Sequence, residues 1–325
     1  MFQPLYDKTS QNIEVIKHLL DEHQRISSVA TSVSQRRDIK IFSIASSVTR
    51  LYAVYESYIE TILSDYLDSI ADLVVFSDLS DGFRTEYRLG ISHILSRIDQ
   101  GRYKHLNHED IVNRYHTALN GGQPYQFVTD ALVRHEQNLR FNIINNLFSK
   151  LGLDNFDSWS SKHPLMAVFF ESDSVTKEMI ENEIKTFVEL RNDGSHGEID
   201  DLIDIEIMKS YCQFIISFLE VIRQFVSKNL IDLMVDKGLI IKLGKVTESF
   251  GQNGAFILTA KKDTLISVSD KIYISSNNTF SSQYIDSIRL NDVQNETLEI
   301  IDDNLEVGLK CQTLIKNNSI IYKNC

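Results

Sequence analysis

The sequence of 325 residues has few cysteines and no long apolar segment. Cys212, Cys311 and Cys325 lack the spacing of metal ligands, and so few thiols fit a reducing cytoplasm. The first residues lack the basic-then-apolar pattern of a signal peptide, and the longest apolar run, 165–170, is too short to cross a bilayer. These absences predict a soluble cytoplasmic protein that does not contact a membrane.

Positive charge is also scarce. The chain has 33 Lys and Arg against 45 Asp and Glu, a net charge of −12 at pH 7. Residues 229–325 contain 10 Lys and Arg and 12 Asp and Glu. Residues 1–228 therefore contain 23 Lys and Arg and 33 Asp and Glu, a net charge of −10. General nucleic-acid binders present a basic face to the phosphate backbone. Any contact with RNA must therefore be local, or a partner or dimer cleft must supply positive potential.

Common nucleotide and metal motifs are missing as well. The segment from Gly238 to Lys245 has the wrong spacing for a phosphate loop and lacks the following Ser or Thr, which argues against nucleotide hydrolysis. His105, His108 and His116 have no cysteine or inward-facing carboxylate to complete a zinc site. We therefore predict no metal and no cofactor.

The most informative segment that is present is 186–198, TFVELRNDGSHGE. An amphipathic helix is predicted to end within it, near Asn192, and Arg191 occupies the next position on its apolar stripe. A buried guanidinium requires an anion, either a carboxylate from another helix or a phosphate ligand. The stripe itself consists of Ile180, Ile184, Phe187 and Val188.

His196 follows Arg191 by five residues, beyond Gly194, where we predict a break that frees it from the helix face. Histidine changes charge near neutral pH, and arginine binds phosphate oxygens with a rigid fork. The R-x4-H pair therefore suits phosphodiester chemistry without a metal. The same spacing is also found in surface pairs and in cations near a helix end.

A second helix places a carboxylate among apolar residues. Glu56 lies within an inward stripe, which predicts that its side chain points to the core and meets Arg191 across the bundle. Such a pair would orient the arginine toward a phosphate, or it would be a purely structural buried ion pair. The stripe consists of Ile41, Ile44, Ala45, Val48, Tyr52, Tyr55, Ile59, Ile62 and Tyr66.

These two segments resemble the HEPN superfamily of all-α domains. The R-x4-H motif with a polar residue, Asn192, directly after the arginine is typical of that superfamily. The run RLYAVYESYIE at 50–60 is similar to the early helix of its MAE-type and RiboL-PSP-type groups. The resemblance spans most of residues 1–228 and implies an all-α helical bundle there.

After Lys228 the pattern changes to short alternating runs bounded by turn residues, as at 239–247, 254–260 and 264–275. Residues 229–325 are thus predicted to form a small C-terminal β-barrel. The region resembles domain two of translational GTPases, although Ser269 replaces the glycine usual before Asp270 and a later glycine is missing within 302–304. The matching positions are Ser287, Ile288, Val307, Gly308 and Leu309.

The HEPN resemblance implies a homodimer whose two motifs face one cleft and cut RNA without metal, through attack by the 2′-hydroxyl. It casts His196 as general base or acid, Arg191 as stabiliser of charge on the phosphate, Asn192 as a positioning residue and Glu56 as the residue that holds the arginine. The barrel resemblance implies a target among tRNA, mRNA or ribosome-associated RNA. Both the implied RNA cleavage and the implied target fit a toxin or an anti-phage effector.

Two alternatives remain open. One is a non-catalytic helical dimer that binds partners or RNA, with Arg191 and Glu56 as a structural pair; the acidic charge favours it. The other is a protein regulated by an antitoxin or defence partner in a two-component system.

Overall fold

A computed structural model describes residues 1–121, 124–196 and 203–325. The chain divides into two compact units, Met1–Val226 and Ser227–Cys325. The first is helical, and the second contains the end of the last helix followed by antiparallel strands, which confirms the fold class predicted from the change in periodicity. None of the helices within the described residues is long and apolar enough to cross a membrane.

The helices of the described residues are α1 (Gln3–Val29), α2 (Val33–Leu73), α3 (Asp81–Leu95), α4 (His108–Leu119), α5 (Asp130–Val133), α6 (Phe141–Lys150), α7 (Phe156–Ser161), α8 (Pro164–Phe169), α9 (Lys177–His196) and α10 (Ile205–Asp236).

The 41-residue helix α2 forms the centre of the helical unit, packed against α1 and α9. Its predicted inward stripe is buried from Val48 to Tyr66 and at Ile44, whereas Ile41 and Ala45 are only partly buried. The Phe187 ring of α9 packs against Tyr55 in an edge-on arrangement, with 5.9 Å between ring centroids. Aromatic contacts of this kind fix how α9 lies on α2.

The sequence pattern of 130–151 predicts a single helix, which is wrong in its middle, since α5 ends at Val133 and α6 begins at Phe141. We call residues 134–140 the α5–α6 connection. Side chains from elsewhere bond its backbone: Leu139 N donates to the Tyr52 hydroxyl at 2.9 Å and the Tyr55 hydroxyl donates to Leu139 O at 2.8 Å. These long-range bonds satisfy groups that a helix would otherwise pair, so tertiary contacts override local propensity.

Two further boundaries differ from the prediction. The sequence of 152–174 has no clear periodicity and predicts irregular structure, but the stretch contains α7 and α8. Helix α8 starts where the His163 ring nitrogen Nδ1 accepts a bond from Leu165 N at 3.1 Å and Pro164 occupies the first helical position. Helix α9 continues to His196, so the break expected near Gly194 is wrong and the whole motif lies on helical backbone.

The strands of the second unit are β1 (Ile240–Phe250), β2 (Ala255–Ala260), β3 (Thr264–Ser267), β4 (Lys271–Ser276), β5 (Thr279–Tyr284), β6 (Ser287–Leu290), β7 (Val293–Asn295), β8 (Thr297–Ile300), β9 (Leu305–Lys310) and β10 (Ile320–Asn324).

These strands form an eight-stranded antiparallel sheet in the order β5-β4-β10-β1-β2-β9-β6-β7 and a two-stranded sheet of β3 and β8. The register shifts between Lys242 and Gly244, which marks a bulge in β1. A Cβ at Gly244 would lie 2.1 Å from Thr259 O, so the close approach of β1 and β2 at this bulge requires glycine. Alternate residues of the strands, such as Leu243 and Ile321, fill one apolar core.

Candidate active site around Arg191

Arg191 lies near the carboxyl end of α9, one turn beyond the buried residues Phe187 and Val188. It is half-buried, as its place on the edge of the apolar stripe predicts. Its guanidinium lies over the Tyr52 ring of α2, with Cζ 4.5 Å from the ring centroid. A cation over the face of an aromatic ring is attracted by the ring's negative face, so Tyr52 forms a floor beneath the arginine.

Two amide side chains bond the same nitrogen of this arginine. Nη1 of Arg191 donates to Oδ1 of Asn192 at 3.1 Å and to Oδ1 of Asn138 at 3.4 Å. Nδ2 of Asn138 donates in turn to Oδ1 of Asn192 at 3.2 Å. Asn192, selected from the sequence, does contact the arginine. Asn138 was missed, because nothing in its local sequence marks a residue of the α5–α6 connection as a neighbour of α9.

Glu56 does not occupy the place predicted for it. Among the residues that the structure describes, no ion pair joins Glu56 to Arg191, and the predicted direct pair, catalytic or structural, is therefore wrong. The reason is Tyr52, one turn earlier on α2: its ring faces Arg191 while its hydroxyl donates to Glu56 Oε1 at 3.4 Å. The carboxylate is 34% exposed, and the Tyr52 side chain contacts both it and the arginine.

The Tyr52 hydroxyl serves as both donor and acceptor. It accepts from Leu139 N and donates to Glu56. Burial, opposed in part by the bond to Leu139, raises the pKa of Tyr52 to about 12. The hydroxyl therefore keeps its proton at neutral pH and remains able to make both bonds.

His135, in the α5–α6 connection, is the residue that meets the carboxylates of α2. Its side chain is 7% exposed, and Nε2 lies 3.3 Å from Glu60 Oε1 and 3.7 Å from Glu56 Oε1. Nδ1 lies 2.6 Å from the carbonyl oxygen of Gln137. Because a carbonyl only accepts, Nδ1 carries a hydrogen, and the two carboxylates favour a second proton on Nε2.

The pKa of His135 follows from these neighbours. Burial lowers it, but the nearby Glu60 carboxylate, the bond to the Gln137 carbonyl and the Glu56 charge together outweigh burial and raise the pKa above its usual value of 6.5. His135 thus lies between the α5–α6 connection and two carboxylates of α2, which favour the protonated form of its ring.

The fourth predicted site residue, His196, is the last residue of α9. Its side chain lies outside what the structure describes, as do residues 197–202. The described part of the site is therefore a guanidinium set by a ring and two amides, contributed by α2, α9 and the α5–α6 connection. Such an arrangement fixes the direction of the arginine and suits it to bind one phosphate in one orientation.

The family model of RiboL-PSP-HEPN domains matches residues 7–228, a range that contains α2, α9 and every side chain of the described site. No curated protein and no solved structure matches the chain.

Proposed function

The chain belongs to the RiboL-PSP-HEPN family, and from that membership we propose that it is a metal-independent endoribonuclease with Arg191 in its active site. HEPN domains are often ribonucleases, so the family fits an RNA-related role. The observation that supports a site at Arg191 is the fixed guanidinium, held over Tyr52 and bonded to Asn138 and Asn192.

In the proposed reaction the ribose 2′-hydroxyl attacks the adjacent phosphorus, and the bond from phosphorus to the 5′-oxygen of the next nucleotide breaks. The 2′-hydroxyl gives its proton to a base, the leaving 5′-oxygen takes one from an acid, and the products are a 2′,3′-cyclic phosphate and a 5′-hydroxyl. We assign one of these proton transfers to His196. Arg191 stabilises the charge that grows on the phosphate oxygens, a role worth two to three orders of magnitude in rate, or about 3 kcal/mol.

We propose that two copies of the chain form one cleft, so that two motifs act on one RNA. This arrangement brings two arginines to the phosphate, which helps an acidic protein to attract a polyanion. Sedimentation of the purified protein measures this state directly, and a strictly monomeric enzyme that still cuts RNA would contradict it.

The decisive experiment sequences RNA ends from cells that briefly express the wild type, Arg191→Ala or His196→Ala. Arg37→Ala and His18→Ala, at exposed positions of α2 and α1, are matched controls for the loss of each side chain. New 2′,3′-cyclic phosphate ends in the wild type and both controls, but in neither site variant, would support the proposal. The same ends from a folded His196→Ala protein would sink the assignment of His196.

We further propose that the β unit directs the nuclease to RNA of the translation apparatus, in line with the resemblance of residues 229–325 to domain two of translational GTPases. A toxin or anti-phage effector, held in check by an antitoxin or defence partner, fits such a target. Removal of residues 237–325 starts directly after α10, and circular dichroism checks that the remaining helices fold. We expect the shortened protein to cut fewer RNAs or different ones. An unchanged set of cut RNAs would show that the β unit does not direct the nuclease.

A non-catalytic interaction protein is the second candidate, favoured by the charge of −10 on residues 1–228. It predicts that Arg191→Ala leaves cellular RNA ends unchanged. It also predicts that partners captured with the wild type remain bound to the Arg191→Ala variant.

A further inference from the structure

Two segments of the acidic helical unit are rich in basic residues. Residues 84–105 contain five Lys and Arg and two Asp and Glu, a net charge of +3. Residues 130–150 contain three Lys and Arg and two Asp and Glu, a net charge of +1. The whole of residues 1–228 carries −10. The two basic segments meet in the fold, because α3 packs against α5 and α6. Positive charge is therefore gathered where these helices join.

The centre of this region is a cluster of cations around one carboxylate. Glu136 Oε1 accepts from Arg97 Nη1 at 2.7 Å and from Arg134 Nη2 at 2.9 Å, and His93 Nε2 lies 3.5 Å away. The positive charge of Arg97, and to a smaller extent that of Arg134, holds the pKa of Glu136 below its usual range. One carboxylate cannot neutralise two guanidinium groups, so the cluster keeps a net positive charge.

His93 adds little permanent charge to it. Burial and the neighbouring Arg134 and Arg97 lower the pKa of His93, which is therefore neutral at pH 7. Together with Arg102, whose Nη2 donates to His135 O at 3.0 Å, the cluster holds three permanent cations.

Arg134 has donors left over for a ligand. Its side chain is 11% exposed and its guanidinium lies over the Tyr103 ring, with Cζ 4.5 Å from the centroid. Nε and Nη1 are buried and have no hydrogen-bond partner within the described residues. Buried donors are normally satisfied, and phosphate oxygens satisfy guanidinium donors well. A cavity of about 330 Å³ opens beside Arg134, and its charged lining consists of His93, Arg134 and Lys150 together with Glu86, Asp130 and Glu136.

The cluster is tied to the candidate active site by the α5–α6 connection. Arg102 and Arg97 bond His135 and Glu136 at one end of it, and Asn138 contacts Arg191 at the other. The three steps from residue 135 to 138 span at most ~11 Å of extended chain.

We propose that Arg97, Arg102 and Arg134 form a binding surface for the phosphate backbone of an RNA strand that continues into the Arg191 site. The choice of RNA as the polyanion rests on the function proposed above. The surface supplies the local positive charge that a protein of this composition needs to bind RNA. It binds backbone, so it sets affinity and position without reading sequence.

The test measures binding rather than cleavage, by fluorescence anisotropy of a labelled twelve-nucleotide single-stranded RNA at several salt concentrations. The full-length protein carries His196→Ala in every sample to prevent cleavage. Arg97→Gln with Arg102→Gln is expected to weaken binding at least tenfold and to lower the slope of log affinity against log salt by about 1.4, ~0.7 for each lost phosphate contact. Arg25→Gln with Arg37→Gln, two exposed arginines of α1 and α2, removes the same charge and is expected to change neither.

A second variant guards against loss of folding. Glu136 is exposed, and Glu136→Gln removes the one carboxylate at the centre of the cluster. If the cluster binds phosphate, this variant binds RNA several-fold more tightly; if the cations only brace the α5–α6 connection, it binds no better than the parent. Weak or absent binding by the parent, equal binding by the two double variants, or no gain with Glu136→Gln would each overturn the proposal. Intact, charge-dependent binding beside a wild type that cuts no RNA would instead defeat the proposed nuclease and leave this surface standing.

Discussion

The guanidinium of Arg191 lies on the ring of Tyr52, 4.5 Å from Cζ to the ring centroid. The same tyrosine holds the α5–α6 connection through Leu139 N and contacts Glu56 through its hydroxyl. One side chain of α2 thus sets both the floor of the candidate site and the path of the segment that carries Asn138. The position of the arginine and the local fold cannot vary independently.

Tyr52→Phe separates these two tasks. The ring remains beneath Arg191, but Leu139 N loses its acceptor inside the protein, so we expect a loss of about 1–3 kcal/mol in the free energy of unfolding. Urea denaturation measures it. Tyr103→Phe is the matched control: the Tyr103 hydroxyl is buried without a partner among the described residues, so its removal is expected to be neutral or stabilising. Equal losses in the two variants would contradict the anchoring role of Tyr52.

Asn138→Ala tests whether that amide positions the arginine. Loss of a hydrogen bond to a charged group, about 1.5–3 kcal/mol, predicts a ten- to hundredfold lower cleavage rate. Gln137→Ala is the control, because its exposed side chain is removed while its carbonyl still bonds His135. In an Arg191→Ala background the Asn138 change is expected to have no further effect. Additive losses would show that Asn138 acts independently of Arg191.

His135 predicts a pH-dependent stability. Glu56 and Glu60 of α2 face its ring, with the Gln137 carbonyl on Nδ1 and Arg102 on the backbone oxygen. Its folded pKa is raised above the unfolded value, so the stability it provides is complete below about pH 6.5 and is lost as pH rises through the folded pKa.

The measurement is the difference in unfolding free energy between wild type and His135→Gln from pH 5.5 to 8.5. We expect that difference to shrink with rising pH, and the dependence to flatten when Glu60→Gln removes the nearer carboxylate. A difference that grows toward alkaline pH would show that the buried ring is neutral.

Gly90 in α3 tests how closely α3 and α5 pack. A Cβ there would lie 1.8 Å from Ala131 O, so Gly90→Ala has to push α5 away, at a cost of about 1–3 kcal/mol or more. Gly82→Ala in the same helix meets nothing nearer than 3.9 Å and is expected to be neutral or to stabilise by up to about 1 kcal/mol. Thermal unfolding of both proteins compares them, and similar midpoints would contradict the close packing.

The periodicity of apolar residues alone predicts the helices and strands whose buried faces follow that pattern. Most of the α2 stripe and the whole apolar stripe of α9 are buried as predicted, and the predicted change from helices to strands is confirmed, although α10 runs to Asp236 rather than ending near Lys228. In these elements the apolar pattern agrees with the local propensity, so a single sequence contains enough information.

The site was only partly predictable, for a physical reason. Arg191 and Asn192 are marked by their own helix, but Asn138 and His135 reach the site because Tyr52, Tyr55 and Arg102 bond the backbone of a segment that otherwise reads as helix. Glu56 was assigned to Arg191 because both interrupt apolar stripes. Nothing in either stripe shows that a tyrosine one turn away stands between them.

Strand β10 lies between β4 and β1 in the interior of the larger sheet, although it is the last of these strands to be synthesised. Without residues 320–324 the sheet is divided into two parts, one of β4 and β5 and the other of β1, β2, β9, β6 and β7. Until these residues leave the ribosome, each part has an unpaired edge where β10 will lie. Such edges readily pair with strands of other chains. Premature stop codons upstream of position 320 are therefore expected to yield products that aggregate or are degraded, a form of quality control that acts at translation.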